Sequence, residues 1–397
     1  MAGDRMDILE YENTRLADYT AGGSDERGGV DIPFLVLTLV LLTVGVIMVL
    51  SSSYVRAYYN TDGQTNSVAT FYFLRQGMFA LIGVAFMAII SKLPVSLFKK
   101  ASLPILLASG ALLIGVLLIG SSAGGAKRWF SLGPLTFQPS ELAKVAVILF
   151  YPAIICKNKN KMNTFRFGIL PFVLITAVLC FLLILEPHYS ATAIIVLLTL
   201  ILMFVGGVSL WWYIIGGIAV VGVAIVVYTT VPYVQNRITA WLNPFDDASD
   251  TGWQVVQSLY AIGSGGFLGL GLGNSRQKFL YLPEEHNDYI FSIVGEELGF
   301  VGAALIVILF TLLVLRGLWI ARHARDRYSF LVAVGISSLF LLQFAMNIAV
   351  CTNVMPSTGI SLPLFSYGGT ALLIQMAEIG VMLSISRDIR KDGRRRR

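Results

Sequence analysis

Residues 32–52 read IPFLVLTLVLLTVGVIMVLSS, an apolar run without a charge. A helix needs roughly 20 such residues to cross a hydrocarbon core about 30 Å thick, so this stretch points to a membrane span. Further runs of the same kind follow at 74–91, 102–120, 139–155, 167–185, 190–206, 209–231, 287–315, 328–350 and 364–386. The second is weakest at its start, where Arg75 and Gln76 interrupt it; the fourth opens on Gln138-Pro139-Ser140-Glu141, a good helix start with proline in the first turn. Composition agrees: 56% of the 397 residues are hydrophobic and only 13% charged, with a mean hydropathy of +0.75. Such a balance excludes a soluble domain. The expected fold class is an all-α polytopic membrane protein of about ten transmembrane helices.

Working outward from the runs, the flanks are polar. Residues 1–31 are mixed in charge and Gly-rich, and read as a disordered cytoplasmic tail. Residues 388–397 form a second, basic cytoplasmic tail, which leaves 32–387 as the membrane domain. The first run is long enough to be an uncleaved anchor. The net charge of +6 suggests nucleic acid only until the basic residues are placed, because they flank the spans. With ten spans the two termini share a side, and the segments on that side hold 21 of the 29 Lys and Arg. By the positive-inside rule that side is cytoplasmic. The external loops are then 53–73, 121–138, 186–189, 232–286 and 351–363, and the polar chemistry lies on the outer face. The fourth loop is long enough to be functional, and its Trp253–Ile262 pattern predicts a short amphipathic helix at the membrane interface. Cys156, Cys180 and Cys351 sit in or beside apolar runs, with no disulfide or zinc spacing.

Several residues could carry chemistry. Asp288 sits at the outer mouth of the eighth run, where a carboxylate meets water yet borders low dielectric and can act as a base; it suits a helix N-cap equally well. Glu296 and Glu297 follow about 12 Å deeper on the same helix, where a charge faces a cavity or a partner helix. Glu141 and Lys144 are three apart, so they share a face, either neutralising each other or forming a polar hub. The external cations Arg75, Lys127, Arg128, Arg237, Arg276 and Lys278 could converge on a phosphate group, or could face lipid headgroups. His188 and His286 are external and could titrate. The Gly263–Gly273 stretch lacks the third glycine and the lysine of a nucleotide loop, and reads instead as backbone approaching a ligand. No spacing suggests a structural metal.

In combination these residues resemble a family, the SEDS proteins of shape, elongation, division and sporulation (FtsW, RodA and SpoVE), from about residue 32 to 387. Gly125-Ala126-Lys127-Arg128-Trp129 with Phe137-Gln138-Pro139-Ser140-Glu141-Leu142-Ala143-Lys144 resembles the family's start of span 4. Glu186-Pro187 resembles its third external loop, and Pro356, Gly359, Leu362, Pro363, Ser366, Tyr367, Gly368 and Gly369 its last. Gly271–Lys278, then Tyr281-Leu282-Pro283-Glu284, His286, Asp288 and Gly295–Gly299, resemble the FtsW branch more than the RodA branch.

The resemblance implies a peptidoglycan glycosyltransferase that polymerises lipid II outside the bacterial cytoplasmic membrane, at the division septum. It implies Asp288 as the catalytic residue, a class B penicillin-binding protein and other divisome membrane proteins as partners, and a divalent cation, Mg or Mn, with no organic cofactor. Lys127, Arg128, Arg75, Arg237, Arg276, Lys278, His286 and Ser366 are the expected contacts to sugar and pyrophosphate. Glu141, Lys144, Glu296 and Glu297 are the expected polar hub. A lipid II flippase and a non-catalytic scaffold for the transpeptidase are the rival readings; the runs show neither an internal repeat nor paired Gly/Pro-broken spans of the transporter kind. Departures from the family pattern are His188-Tyr189-Ser190 where an acid and glycine are usual, Asn287, Tyr289, Asn353, and Glu378 in span 10.

Overall fold

The computed structural model describes residues 28–59, 63, 65, 67–123, 126–132, 135–246 and 252–389. The two expected tails fall largely outside these residues. Helices form at every one of the ten apolar runs: α1 (Ile32–Tyr58), α2 (Phe71–Ile90), α3 (Val95–Ile119), α4 (Pro139–Lys157), α5 (Leu170–Leu185), α6 (Tyr189–Val205) and α7 (Leu210–Thr230). Two shorter helices, α8 (Pro232–Leu242) and α9 (Trp253–Gly265), lie in the fourth loop, before α10 (Ile290–Arg322), α11 (Arg327–Cys351) and α12 (Gly369–Arg387). Seven of these helices, and the segment Phe165–Leu185 that contains α5, are long and apolar enough to cross a membrane by length and composition.

Local chemistry sets the helix boundaries. Asp31 caps α1 by accepting from Phe34 N at 3.0 Å, with Pro33 in the first turn. Gly207, at φ +90°, makes the tight turn between α6 and α7. Gln76, which interrupts the second run in sequence, lies fully buried inside α2. There it donates to Ser366 O at 3.2 Å and accepts from Gly368 N at 3.3 Å, so the polar interruption fastens the last loop. At one end of the bundle Gly28 N meets Arg387 O at 2.9 Å, and Asp31 pairs with Arg316 at 2.8 Å. The ends of the described chain therefore lie together on one end of the bundle.

Three features depart from the sequence reading. First, the loop 121–138 is not irregular: Ser121–Ala123, Ala126–Leu132 and Leu135–Phe137 form a small antiparallel meander, β1-β2-β3. Second, the apolar face of the amphipathic α9 has a protein partner: its buried residues pack on α10, and Ser258 Oγ bonds Ser292 Oγ at 2.6 Å and Cys351 O at 2.7 Å. Third, α10 is a broken span, interrupted at Gly299 (φ +67°). The break frees backbone groups that a bilayer cannot satisfy, and the glycine-rich stretch satisfies them. Leu270 N and Gly271 N donate to Glu296 O and Glu297 O, both at 3.0 Å, while Phe300 N and Val301 N donate to Gly266 O and Phe267 O at 2.9 and 3.1 Å. A Cβ at Gly269 would sit 2.2 Å from Glu297 O, so the close approach requires glycine. Backbone does approach closely here, as expected, but what it approaches is another part of the chain.

Candidate active site

Asp288 lies just before α10, half-buried at the bundle end opposite the paired chain ends. The first residue of the helical cap is Tyr289, and no side chain caps α10. The Asp288 carboxylate is thus not spent as an N-cap, which separates the two readings left open by spacing. Its backbone is held at three consecutive carbonyls. Tyr367 N donates to His286 O at 2.9 Å, Ser366 Oγ to Asn287 O at 2.8 Å, and Asn347 Nδ2 to Asp288 O at 2.7 Å. The same Asn347 Nδ2 reaches Ile360 O at 2.7 Å, tying the last loop to this turn. A carboxylate whose backbone is fixed on both sides has little freedom left to lose when it acts.

The last loop comes against the acid itself. Gly359 has φ +66°, and a Cβ there would lie 3.2 Å from Asp288 Oδ2. Two arginines flank the carboxylate. Arg237 on α8 donates to Ser357 O in the last loop, and Arg128 on β2 donates to Glu186 O at 3.1 Å and to Pro187 O in the α5–α6 turn. Each guanidinium braces a loop while its charge acts on Asp288. Burial and the Glu284 carboxylate push Asp288 up to about 7, against the opposing pull of Arg237 and Arg128. A base poised there is half ionised at neutral pH, the range in which proton abstraction is efficient.

The other expected contacts divide. Lys127 is exposed on β2, in the strand that carries Arg128. Arg75 is half-buried on α2, 6.0 Å from the Phe71 ring centre and beside the Tyr367 hydroxyl. Ser366 serves the turn rather than a ligand: it also accepts from Leu362 N at 2.7 Å. His286 is buried, its ring 4.9 Å from Tyr72 and 5.7 Å from Tyr367, inside an aromatic cluster. Lys278 is a correction to the sequence reading. It is 3% exposed, pairs with Glu297 at 3.0 Å and donates to Gly273 O at 2.5 Å, so it is not presented to a phosphate. Arg276 is exposed, and its backbone N–H donates to Glu296 at 2.8 Å.

Glu296 and Glu297 form a polar knot. Glu297 accepts from Ser51 Oγ at 2.6 and 2.7 Å and from Ser275 N at 3.2 Å, while Glu296 accepts from Ser275 Oγ at 2.5 Å and Gln277 N at 3.4 Å. Glu141 and Lys144 pair at 2.8 Å on α4, both buried, as their spacing requires. Sequence reasoning missed the buried pair of Arg56 with Glu285, at 2.8 Å, which anchors the approach to Asp288 on α1. The partners are 229 residues apart, and no local signal joins them. It also passed over Glu186 as an acid. That side chain is 1% exposed, and burial pushes it up to about 8 against the pull of Arg128. His188, standing where an acid is usual, is buried; burial and the charges of Arg128 and Lys144 push it down to about 3, so it is neutral. Among the described residues, no group of three or more His, Cys, Asp or Glu side chains could hold a metal ion.

The chain as a whole is similar to known proteins. The family model described as "Cell cycle protein", which covers FtsW, RodA and SpoVE, matches residues 33–391. The chain is 38% identical over 359 residues to stage V sporulation protein E of Bacillus subtilis (strain 168), covering 90% of this chain and 97% of that one. It is likewise 38% identical over 367 residues to a probable peptidoglycan glycosyltransferase FtsW of Geobacter sp. (strain M18), covering 91% and 98%. Among solved structures, it resembles a chain of a peptidoglycan synthase complex that coordinates polymerization and crosslinking, with a TM-score of 0.74, 28% identity and coverage of 91% and 99%. Rod shape determining protein RodA of Thermus thermophilus follows, with a TM-score of 0.66, 25% identity and coverage of 91% and 98%.

Proposed function

The chain belongs to the FtsW/RodA/SpoVE family, and on that premise we propose that it is a peptidoglycan glycosyltransferase that polymerises lipid II at the outer face of the bacterial cytoplasmic membrane. The observation that carries this reading is the uncapped carboxylate of Asp288, fixed at three consecutive carbonyls and flanked by Arg128 and Arg237. A sugar hydroxyl of the acceptor loses its proton to Asp288 as its oxygen attacks the anomeric carbon of the donor. The bond from that carbon to the lipid diphosphate breaks, and the electron pair leaves with the diphosphate. The leaving group needs charge stabilisation rather than a strong acid, and Arg128 and Arg237 are placed to give it. One base acting in a single displacement favours inversion. A divalent cation taking part would be shared with the substrate's own phosphates, as magnesium commonly is; its role would be to neutralise charge on the diphosphate.

The likeness to a synthase complex supports a transpeptidase partner, a class B penicillin-binding protein, and the FtsW-type fourth loop supports work at the division septum. One feature favours the flippase reading: a span broken at its middle, as transporters show. The groups freed at Gly299 are taken by the 266–271 backbone, however, so the break offers nothing to a substrate.

The deciding experiment is glycan synthesis from labelled lipid II by the purified protein with its transpeptidase partner. Wild type is expected to make polymer and Asp288→Ala none. Polymer from Asp288→Ala would point to a scaffold, and no polymer from wild type would point to a flippase.

A further inference from the structure

Glu186 occupies a place that no structural role explains. It ends α5, its N–H returning to Leu182 O at 3.2 Å, and negative charge at a helix C-terminus opposes the helix dipole. The side chain is 1% exposed, and neither carboxyl oxygen has a hydrogen-bond partner among the described residues. A buried polar group left in that state is costly, and more so if ionised. Its backbone, by contrast, is engaged. The Arg128 guanidinium donates to Glu186 O at 3.1 Å and to Pro187 O. Arg128 therefore grips the turn through carbonyls, while the carboxyl of the same turn stays apart from it.

The charged groups around this point are few. Arg128 of β2 faces Glu186, and it faces both His188, just before α6, and Asp288 as well. Lys144 of α4, paired with Glu141, faces His188 and also Glu378 of α12. Arg237 of α8 and Glu284 lie across the site, beside Asp288. His188 is neutral throughout the working range. Two acids can therefore change the charge next to Arg128: Asp288, which does so around neutrality as the proposed base, and Glu186, which burial holds largely protonated at neutral pH.

We propose that Glu186 is a positioning residue for Arg128: protonated, it leaves the guanidinium charge uncompensated for a lipid diphosphate, and ionised, it competes with that diphosphate. The proposal rests on the function assigned above, since Arg128 must meet a diphosphate in this site. No covalent step is involved; one proton passes between Glu186 and solvent. Reciprocity fixes the sign. An anion on Arg128 favours proton uptake by Glu186, so raising the pH must weaken anion binding.

The test is a direct titration of undecaprenyl diphosphate at pH 6.5 and pH 9 into the full-length Asp288→Asn protein in detergent, a background that removes the other acid titrating beside Arg128. Glu186→Gln in this background cannot ionise at either acid, so its slope carries only the ligand's own ionisation. Against that reference the Asp288→Asn parent is expected to lose about tenfold more affinity over the interval, the size of a one-unit linkage. Arg128→Gln in the same background should bind weakly at both pH values. A parent whose slope equals that of its Glu186→Gln derivative overturns the proposal. Should Glu186→Gln not fold, a fall in affinity with pH that survives in Arg128→Gln overturns it equally. Failure of the underlying reading shows separately, as polymer made by Asp288→Ala.

Discussion

Two pairs of acids lie near α10, and they have opposite surroundings. Glu296 and Glu297 are fully buried, and their oxygens are occupied by Ser51, Ser275, Lys278 and the backbone N–H groups of residues 275–277. Asp288 and Glu186 have charged neighbours but, among the described residues, no comparable set of donors. Asp288 is not used as a cap, and Glu186 has no hydrogen-bond partner among the described residues. Both pairs would look alike in a list of acids near a membrane. Their partners separate them: a carboxylate whose lone pairs are all taken holds structure, whereas one left without donors has capacity for a proton.

Substitutions on the two sides should sharpen that contrast. The largest expected effect is on turnover: Asp288→Ala should lower lipid II polymerisation by about 10²–10⁴-fold, the usual weight of a positioned base, with its melting temperature in detergent unchanged. Glu297→Ala should do the reverse. Leaving Lys278 buried without its partner costs about 3–5 kcal/mol, read as a lower melting temperature, while each folded molecule keeps its turnover. If Glu297→Ala instead lost turnover at full stability, the division between the two pairs would break.

Gly359→Ala combines both effects on a smaller scale. Its left-handed backbone costs a side chain about 1–2 kcal/mol, and its Cβ would press on Asp288 Oδ2. A drop in kcat with little change in KM is the expected signature. The mildest test leaves the sequence alone. Because Asp288 works as the ionised base and sits at about 7, kcat/KM should fall about tenfold per pH unit below that point, and it should decline again above about 8 as Glu186 ionises. A flat profile from pH 5.5 to 7 would count against Asp288 as the base.

What was legible in the sequence follows the range of each interaction. The spans were readable because each run by itself matches the thickness of a bilayer. Glu141 with Lys144 was readable because three residues is a helical neighbour distance. Asp288 was visible at a helix mouth, but the choice between cap and base needed the geometry of Tyr289 and the last loop. Lys278 was misassigned because its partners, Glu297 and Ser51, come from other elements; from the chain alone it is simply a cation in an external loop. The break in α10 was hidden for a similar reason. Gly299 reads as a tolerable glycine within an apolar run until the 266–271 backbone is seen to fill the gap. The meander of β1 to β3 depends on cross-strand pairs that neither composition nor an apolar count reveals.

The contact between Gly28 and Arg387, reinforced by Asp31, Ser386 and Arg316, has a practical consequence. In a chain trimmed to the described residues, Gly28 and Arg387 could be joined by a short peptide without pulling on the bundle. That chain could then be reopened within one of its loops as a circular permutant. Fluorophores placed beside Gly28 and Arg387 would start from a close separation, so a change in energy transfer between them would report movement of α1 against α12.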